Sequence, residues 1–166
     1  MSQEIEREAR ETYQRYTQTR DRIDRGELPW GALSEFFTDD AVFIDPAWGR
    51  IEGRDNIREF MRESMLGLED WSFPEIWTIV DGRRVVTMWA QRIGKDADGA
   101  RHTQPGVSIL YYAGDGKFCY ELDLLNMAHV NEELRAMHWK PTGDFTMPPV
   151  RPERDWSLPD AWKHLA

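Results

Sequence analysis

A single cysteine, Cys119, stands in a chain of 166 residues, so no internal disulfide can brace the fold. No apolar run reaches the length that a membrane-spanning helix needs. The opening Met1-Ser2-Gln3-Glu4 is polar and acidic, without the basic flank and apolar core of a signal peptide. Basic residues are in the minority: 21 Lys and Arg stand against 30 Asp and Glu, for a formal net charge of −9. That balance argues against a phosphate backbone and against an anionic membrane surface as partners. The expectation is a cytoplasmic protein with no nucleic-acid and no membrane partner. His129, His138 and His164 show no metal-ligand spacing with one another or with Cys119, so no metal site is expected. Cys119 has no histidine near it in sequence and reads as a small core residue rather than a nucleophile. Gly114-Asp115-Gly116 is followed by no helix, which makes it a hairpin turn and not a phosphate loop. The chain has no internal repeat and no low-complexity tract.

What is present is a globular composition, 40% hydrophobic and 31% charged. Ile5, Ala9, Tyr13, Tyr16 and Ile23 recur near helical spacing and predict a helix over residues 3–24, ended by Gly26. Pro29 starts a shorter helix carrying Leu33, Phe36 and Phe37. A strand through Ala41-Val42-Phe43-Ile44 follows, then after Gly53 a third helix with Ile57, Phe60, Met61 and Met65 on one face. Three Asp-Gly pairs, at Asp81, Asp98 and Asp115, separate runs rich in β-branched and aromatic residues. Asp-Gly suits a hairpin turn because both residues tolerate positive φ. Four antiparallel strands are predicted, over residues 71–80, 83–94, 101–113 and 117–126, long enough to curve strongly. Helices followed by strands give an α+β fold with helices on one face of the sheet. From residue 127 the chain turns helical again, through Val130, Leu134 and Met137.

The domain expected over residues 1–137 is followed by an arm, 138–166, that holds five of the nine prolines together with Trp139, Trp156 and Trp162. Proline stiffens such a segment and the indoles need cover, so the arm is expected to dock on the body or on a partner subunit.

The apolar strand ends in Asp45, immediately before Pro46 and close to Trp48. A carboxylate at the end of a buried strand costs free energy unless something stabilises it. Desolvation raises its pKa and makes it a better proton acceptor; alternatively, it accepts backbone N–H bonds at a turn and does no chemistry. Asp123 shares its strand phase with Cys119 and Glu121, against Phe118, Tyr120, Leu122 and Leu124 in the other phase. His102 shares phase with Gln104 and Ser108, which places all three on one wall. Trp48, Trp77 and Trp89 make an aromatic wall for a flat ligand, or ordinary core.

Phe37-Thr38-Asp39-Asp40-Ala41-Val42-Phe43-Ile44-Asp45-Pro46, followed by Gly53-Arg54-Asp55-Asn56-Ile57-Arg58-Glu59-Phe60, resembles the signature of SnoaL-like proteins of the nuclear transport factor 2-like superfamily. Pro105-Gly106-Val107-Ser108-Ile109-Leu110-Tyr111 and Gly116-Lys117-Phe118 through Asp123 resemble their closing hairpin. The resemblance implies a cystatin-like cone: a curved antiparallel sheet closed by three N-terminal helices around an internal pocket. It implies far less about activity, since polyketide cyclases, steroid isomerases, dehydratases, epoxide hydrolases and non-catalytic relatives share the cone. By this resemblance Asp45 matches the general base of the ketosteroid isomerases and Tyr16 their oxyanion donor. Their second, protonated acid falls near Ser108. Asp123 falls where the cyclases and epoxide hydrolases place a catalytic aspartate, pointing into the cone. The arginine and aspartate that the hydrolases also need are replaced by Trp89 and Gln91. His102 is similar in kind to the histidines of the scytalone dehydratases.

Together these readings predict a cofactor-free enzyme performing isomerisation, cyclisation or dehydration on an apolar cyclic ligand. Asp45, Asp123, Tyr16 and His102 are the expected catalytic residues. Trp48, Trp77, Trp89, Gln91, Gln104 and Ser108 are the expected ligand-binding ones. The alternative is a non-catalytic ligand binder or a protein-interaction subunit on the same fold. The Phe118/Tyr120/Leu122/Leu124 phase, expected to face outward, needs a cover, which predicts a homodimer through the outer sheet face.

Overall fold

The computed structural model describes residues 2–95 and 98–166; part of the loop before the Asp98-Gly99 turn lies outside them. Helix α1 (Ser2–Asp24) buries Ala9, Thr12, Tyr13, Tyr16, Arg20 and Ile23, a stripe at three-to-four-residue spacing. Its end is closed by Gly26, whose φ is +74°. Gly26 N donates to Ile23 O at 2.8 Å and Glu27 N donates to Arg22 O at 2.9 Å, a paired C-terminal cap. Trp30–Phe36 forms a 3-10 helix rather than an α-helix, and Phe37 already opens strand β1 (Phe37–Asp45). A turn at Pro46-Ala47-Trp48 leads into β2 (Gly49–Glu52), a short strand that the sequence pattern did not reveal. Helix α2 (Arg54–Ser64) buries Ile57, Phe60 and Met61.

The expected meander is present, with one interruption. Its first strand splits into β3 (Trp71–Ser72) and β4 (Glu75–Asp81) around Phe73-Pro74, because proline has no N–H for the ladder. Strands β5 (Arg84–Lys95), β6 (Arg101–Gly114) and β7 (Lys117–Leu125) complete it, and helix α3 (Met127–Ala136) follows, with Asn126 capping its first turn. The strand order is β2-β1-β7-β6-β5-β3, with β4 also on β5. The meander is antiparallel throughout, whereas β1 joins β7 in parallel.

Cross-strand register sorts the side chains into rows. Thr78–Thr87–Ser108–Asp123 and Val80–Val85–Leu110–Glu121 run along the concave face. Ile79–Val86–Ile109–Leu122 and Trp77–Met88–Val107–Leu124 run along the convex face. The main core lies on the concave side, where α1, the 3-10 helix and α2 bring Tyr13, Tyr16, Leu33, Ile57 and Phe60 against Phe37, Phe43, Leu110 and Phe118.

The expected phase of β7 holds from Tyr120 onward and fails before it. Opposite β6, Tyr111 pairs with Tyr120 but Tyr112 pairs with Phe118, which inserts an extra residue at Cys119. Phe118 therefore turns inward against Tyr13 and Tyr16, and Cys119 joins Val42, Ile44, Tyr120 and Leu158 in a second cluster. Leu158 belongs to the C-terminal segment. That segment therefore covers part of the face that the sequence reading left to a second copy of the chain.

The segment from Trp139 onward is held at several points. Thr142 N donates to Gly67 O at 3.2 Å, and Arg50 N donates to Glu153 O at 3.0 Å. Arg50 Nη1 donates to Ser157 O at 2.7 Å, Tyr120 Oη donates to Trp156 O at 2.5 Å, and Trp162 Nε1 reaches the Asp40 carboxylate at 3.0 Å. Gly49 and Gly67 mark the closest approaches: a Cβ there would lie 2.4 Å from Glu153 O and 2.5 Å from Thr142 O. The segment ends in a 3-10 helix, Asp160–Leu165. Among the described residues no helix is long and apolar enough to cross a membrane.

Candidate active site

A cavity of about 730 Å³ opens inside the cone. Its walls are mostly apolar: Trp30, Leu33, Phe43, Phe60, Met61, Phe73 and Trp89 from the body, Val130 and Leu134 from α3. Trp139, Pro141, Phe145, Met147 and Pro148 of the C-terminal segment complete the lining, so the chain roofs its own pocket. The polar lining includes Tyr16, Arg20, Asp45, Gln91, Ser108, Glu121 and Asp123.

Asp123 and Ser108 are direct cross-strand partners, and the Ser108 hydroxyl donates to Asp123 Oδ1. Trp89 Nε1 donates in turn to Ser108 Oγ at 2.9 Å. The Trp89 ring lies flat against Gly106, where a Cβ would sit 2.4 Å from it, so only glycine leaves room for the indole. Two residues before Asp123, on the same face, Glu121 hydrogen-bonds both to Asp123 and to the Tyr16 hydroxyl, which lies 3.1 Å from Oε2. A continuous chain thus runs Trp89–Ser108–Asp123–Glu121–Tyr16.

Burial dominates the electrostatics of this chain. It pushes the Asp123 carboxyl up to about 7; the Ser108 bond opposes the rise and the Asp45 charge adds to it. Burial and the neighbouring Asp123 hold Glu121 well above the usual carboxylate range. Burial, then Glu121, pushes the Tyr16 hydroxyl well above its ordinary value. Two carboxyls this close cannot both ionise cheaply, so near neutral pH the pair keeps at least one proton.

Asp45 sits at a turn and at the cavity at once. Its Oδ1 accepts from Ala47 N at 2.7 Å and from Trp48 N at 2.8 Å, closing the turn after β1. The residue nevertheless lines the cavity, and burial raises its pKa against those two N–H bonds. It acts electrostatically on Asp123 within the same cavity.

The other expected site residues divide. Trp48, Trp89, Gln91 and Ser108 line the cavity. Gln104 does not: it lies beside Gln91 on the next strand, donating to Gln91 Oε1 at 2.7 Å across the β5–β6 ladder. Trp77 is on the convex face, 43% exposed, in register with Met88 rather than with the inward residues. His102 keeps the inward phase, but at the mouth of the cone its ring meets α3 and pairs with Glu133, which also holds His129 at 3.4 Å. His102 is not among the residues that line the cavity. Tyr16 is inside, but its hydroxyl is engaged by Glu121 instead of standing free for an oxyanion.

Two members of the site went unrecognised in the sequence. Arg20 occupies the buried stripe of α1 one turn beyond Tyr16, where periodicity calls for an apolar residue; that conflict was the available signal. Glu121 shares its strand phase with Asp123, and the spacing of two on one strand face is its signal. Among the described residues no group of three or more His, Cys, Asp or Glu is arranged to hold a metal ion.

No curated protein matches the sequence. Solved structures do share the fold. A protein described as a SnoaL-like polyketide cyclase from Jannaschia sp. CCS1 superposes with a TM-score of 0.63 at 19% identity, covering 82% of this chain and 96% of its own. One so described from Shewanella putrefaciens CN-32 superposes at 0.61 with 15% identity, covering 77% and 86%. TerC, co-crystallised with polyporic acid, superposes at 0.56 with 21% identity, covering 77% and 98%. At these identities the likeness is one of fold. The sequence itself matches the SnoaL-like domain across residues 15–121, from just before Tyr16 to Glu121, and the chain belongs to that family.

Proposed function

We propose that this protein is a cofactor-free acid–base enzyme acting on an apolar cyclic compound. Isomerisation, cyclisation and dehydration are the reaction classes that fit. One observation carries the reading: Asp45 and Asp123 face a single apolar cavity, and Asp123 is held near neutrality inside it. A carboxyl with a pKa close to the working pH is suited to taking a proton from carbon and returning it. Asp123 is the first candidate for that transfer. Glu121, held well above the usual carboxylate range, is the neighbour that shares the pair's proton, while Ser108 and Trp89 fix the orientation of Asp123. Asp45 supplies the second carboxyl that an acid–base pair needs.

The competing reading is a ligand binder without turnover. It is favoured by the two backbone bonds that give Asp45 a structural task of its own. Turnover of ring ketones, hydroxy-ketones or epoxides separates the two. Once a substrate is found, Asp123→Asn is expected to lower kcat by about 10²–10⁴-fold, as general acid–base losses do. Retention of the full rate by that variant would remove Asp123 from the chemistry.

A further inference from the structure

Arg20 is 7% exposed, on the concave side of α1, and lines the cavity beside Glu121 and Asp123. Its guanidinium lies over the Tyr16 ring, 5.9 Å from the centroid. Among the described residues no ion pair within 4 Å and no hydrogen bond engages it. None of its nitrogens is both sealed from solvent and unpaired, so its N–H groups open on the cavity. A guanidinium stays charged at any physiological pH and presents its donors as a flat fork. Burying that charge without a bonded anion is costly, and an aromatic face offsets only part of the cost. Glu121, Asp123 and Asp24, the last one turn along α1, act on it electrostatically without bonding to it. Burial and Asp123 hold Glu121 well above the usual carboxylate range, and Asp123 is already engaged by Ser108.

We propose that Arg20 is the anion-binding group of this cavity and receives the carboxylate of a ring acid. The inference rests on the reading that the cavity takes a cyclic ligand, and it adds the substrate class: a flat, largely apolar ring bearing an acid group. The apolar body of such a ligand lies against Trp30, Phe60 and Trp89, while the fork of Arg20 holds its two oxygens. That arrangement fixes the ligand at one end, which is what positioning a single carbon against a carboxyl base requires.

Calorimetric titration with two probes of equal shape, naphthalene-2-carboxylate and naphthalene-2-carboxamide, tests this at neutral pH. Wild type is expected to bind the carboxylate about tenfold more tightly, the scale of a charged hydrogen-bonded contact. Arg20→Gln is expected to weaken the acid and leave the amide within about twofold, erasing the preference. Equal binding of the two probes by wild type, no binding of either, or a preference that survives Arg20→Gln overturns the proposal. Melting curves establish whether the variant is folded. If Arg20→Gln is not, Arg20→Lys decides: it keeps the charge but loses the fork, so unchanged acid affinity overturns the assignment. Turnover plays no part in this readout. A chain that prefers the acid yet converts nothing keeps the role of Arg20 and loses the catalytic reading. Conversion of neutral ring ketones without any acid preference does the reverse.

Discussion

Asp123 shows how little a carboxylate's position along the chain says about its behaviour. Its strand phase and its family resemblance are visible in the sequence, but its pKa near 7 comes from burial and the charge of Asp45, against the opposing Ser108 bond, all set by other elements. The same environment leaves a signature in stability. The folded chain keeps a proton on Asp123 that the unfolded chain releases across roughly pH 4 to 7. The stabilisation from this group is complete below that window and is lost as pH rises through it. Asp123→Asn lacks the effect, so its stability relative to wild type is expected to rise by on the order of 2–3 kcal/mol between about pH 5 and pH 8. Urea denaturation at the two pH values reads this directly, and a difference that does not change with pH contradicts the raised pKa. Arg20 carries the complementary lesson. Its place on the buried stripe of α1 is readable from spacing, but its meaning depends on what α1 faces.

At the scale of elements, the C-terminal segment is the distinctive addition to the cone. Its prolines and tryptophans announce an ordered arm; where it docks is decided by glycines elsewhere. Gly49 has a φ of +81° and its missing Cβ admits the Glu153 carbonyl. Gly49→Ala combines a left-handed backbone with a clash, costing about 1–3 kcal/mol, and is expected to loosen the arm. Truncation after His138 goes further, removing the cavity roof and uncovering the cluster around Cys119 and Tyr120. Burial now pushes the Cys119 thiol up to about 12 and shields it. In the truncated chain a thiol reagent is expected to label Cys119, and the melting temperature is expected to fall by several degrees for each ~2 kcal/mol of lost burial. An unreactive Cys119 with unchanged melting would show that the arm is not part of the packed structure.

At the scale of the whole molecule, the convex face is the unfinished surface. The arm covers Cys119 and Tyr120, yet Trp77, Ile79 and Leu124 remain 43%, 59% and 49% exposed. They sit on two apolar rows that cross β4, β5, β6 and β7. A continuous apolar sheet face of this kind is seldom left in water. A homodimer through these rows is the expected assembly, and Ile79→Glu is expected to shift it toward monomer. Light scattering that finds wild type monomeric at micromolar concentration would refute this.

The sequence by itself determined the α+β class, the three Asp-Gly turns, the stripes of α1 and α2, and the shared strand phase of Glu121 and Asp123. These follow from periodicity and turn chemistry, which act over a few neighbours and are therefore legible locally. That Asp123 points into the cone came from the family resemblance. The tertiary structure alone decided which inward residues meet. The bulge at Cys119 reversed the phase of Phe118, His102 met Glu133 of α3, the register of β4 carried Trp77 to the convex face, and Gln104 bonded to Gln91 beside the cavity without lining it. Tyr16 lost its free hydroxyl to Glu121, and Arg20 gained a cavity to face. Each of these depends on two segments far apart in sequence occupying one volume, and burial, hydrogen-bond pairing and charge are set only once they do.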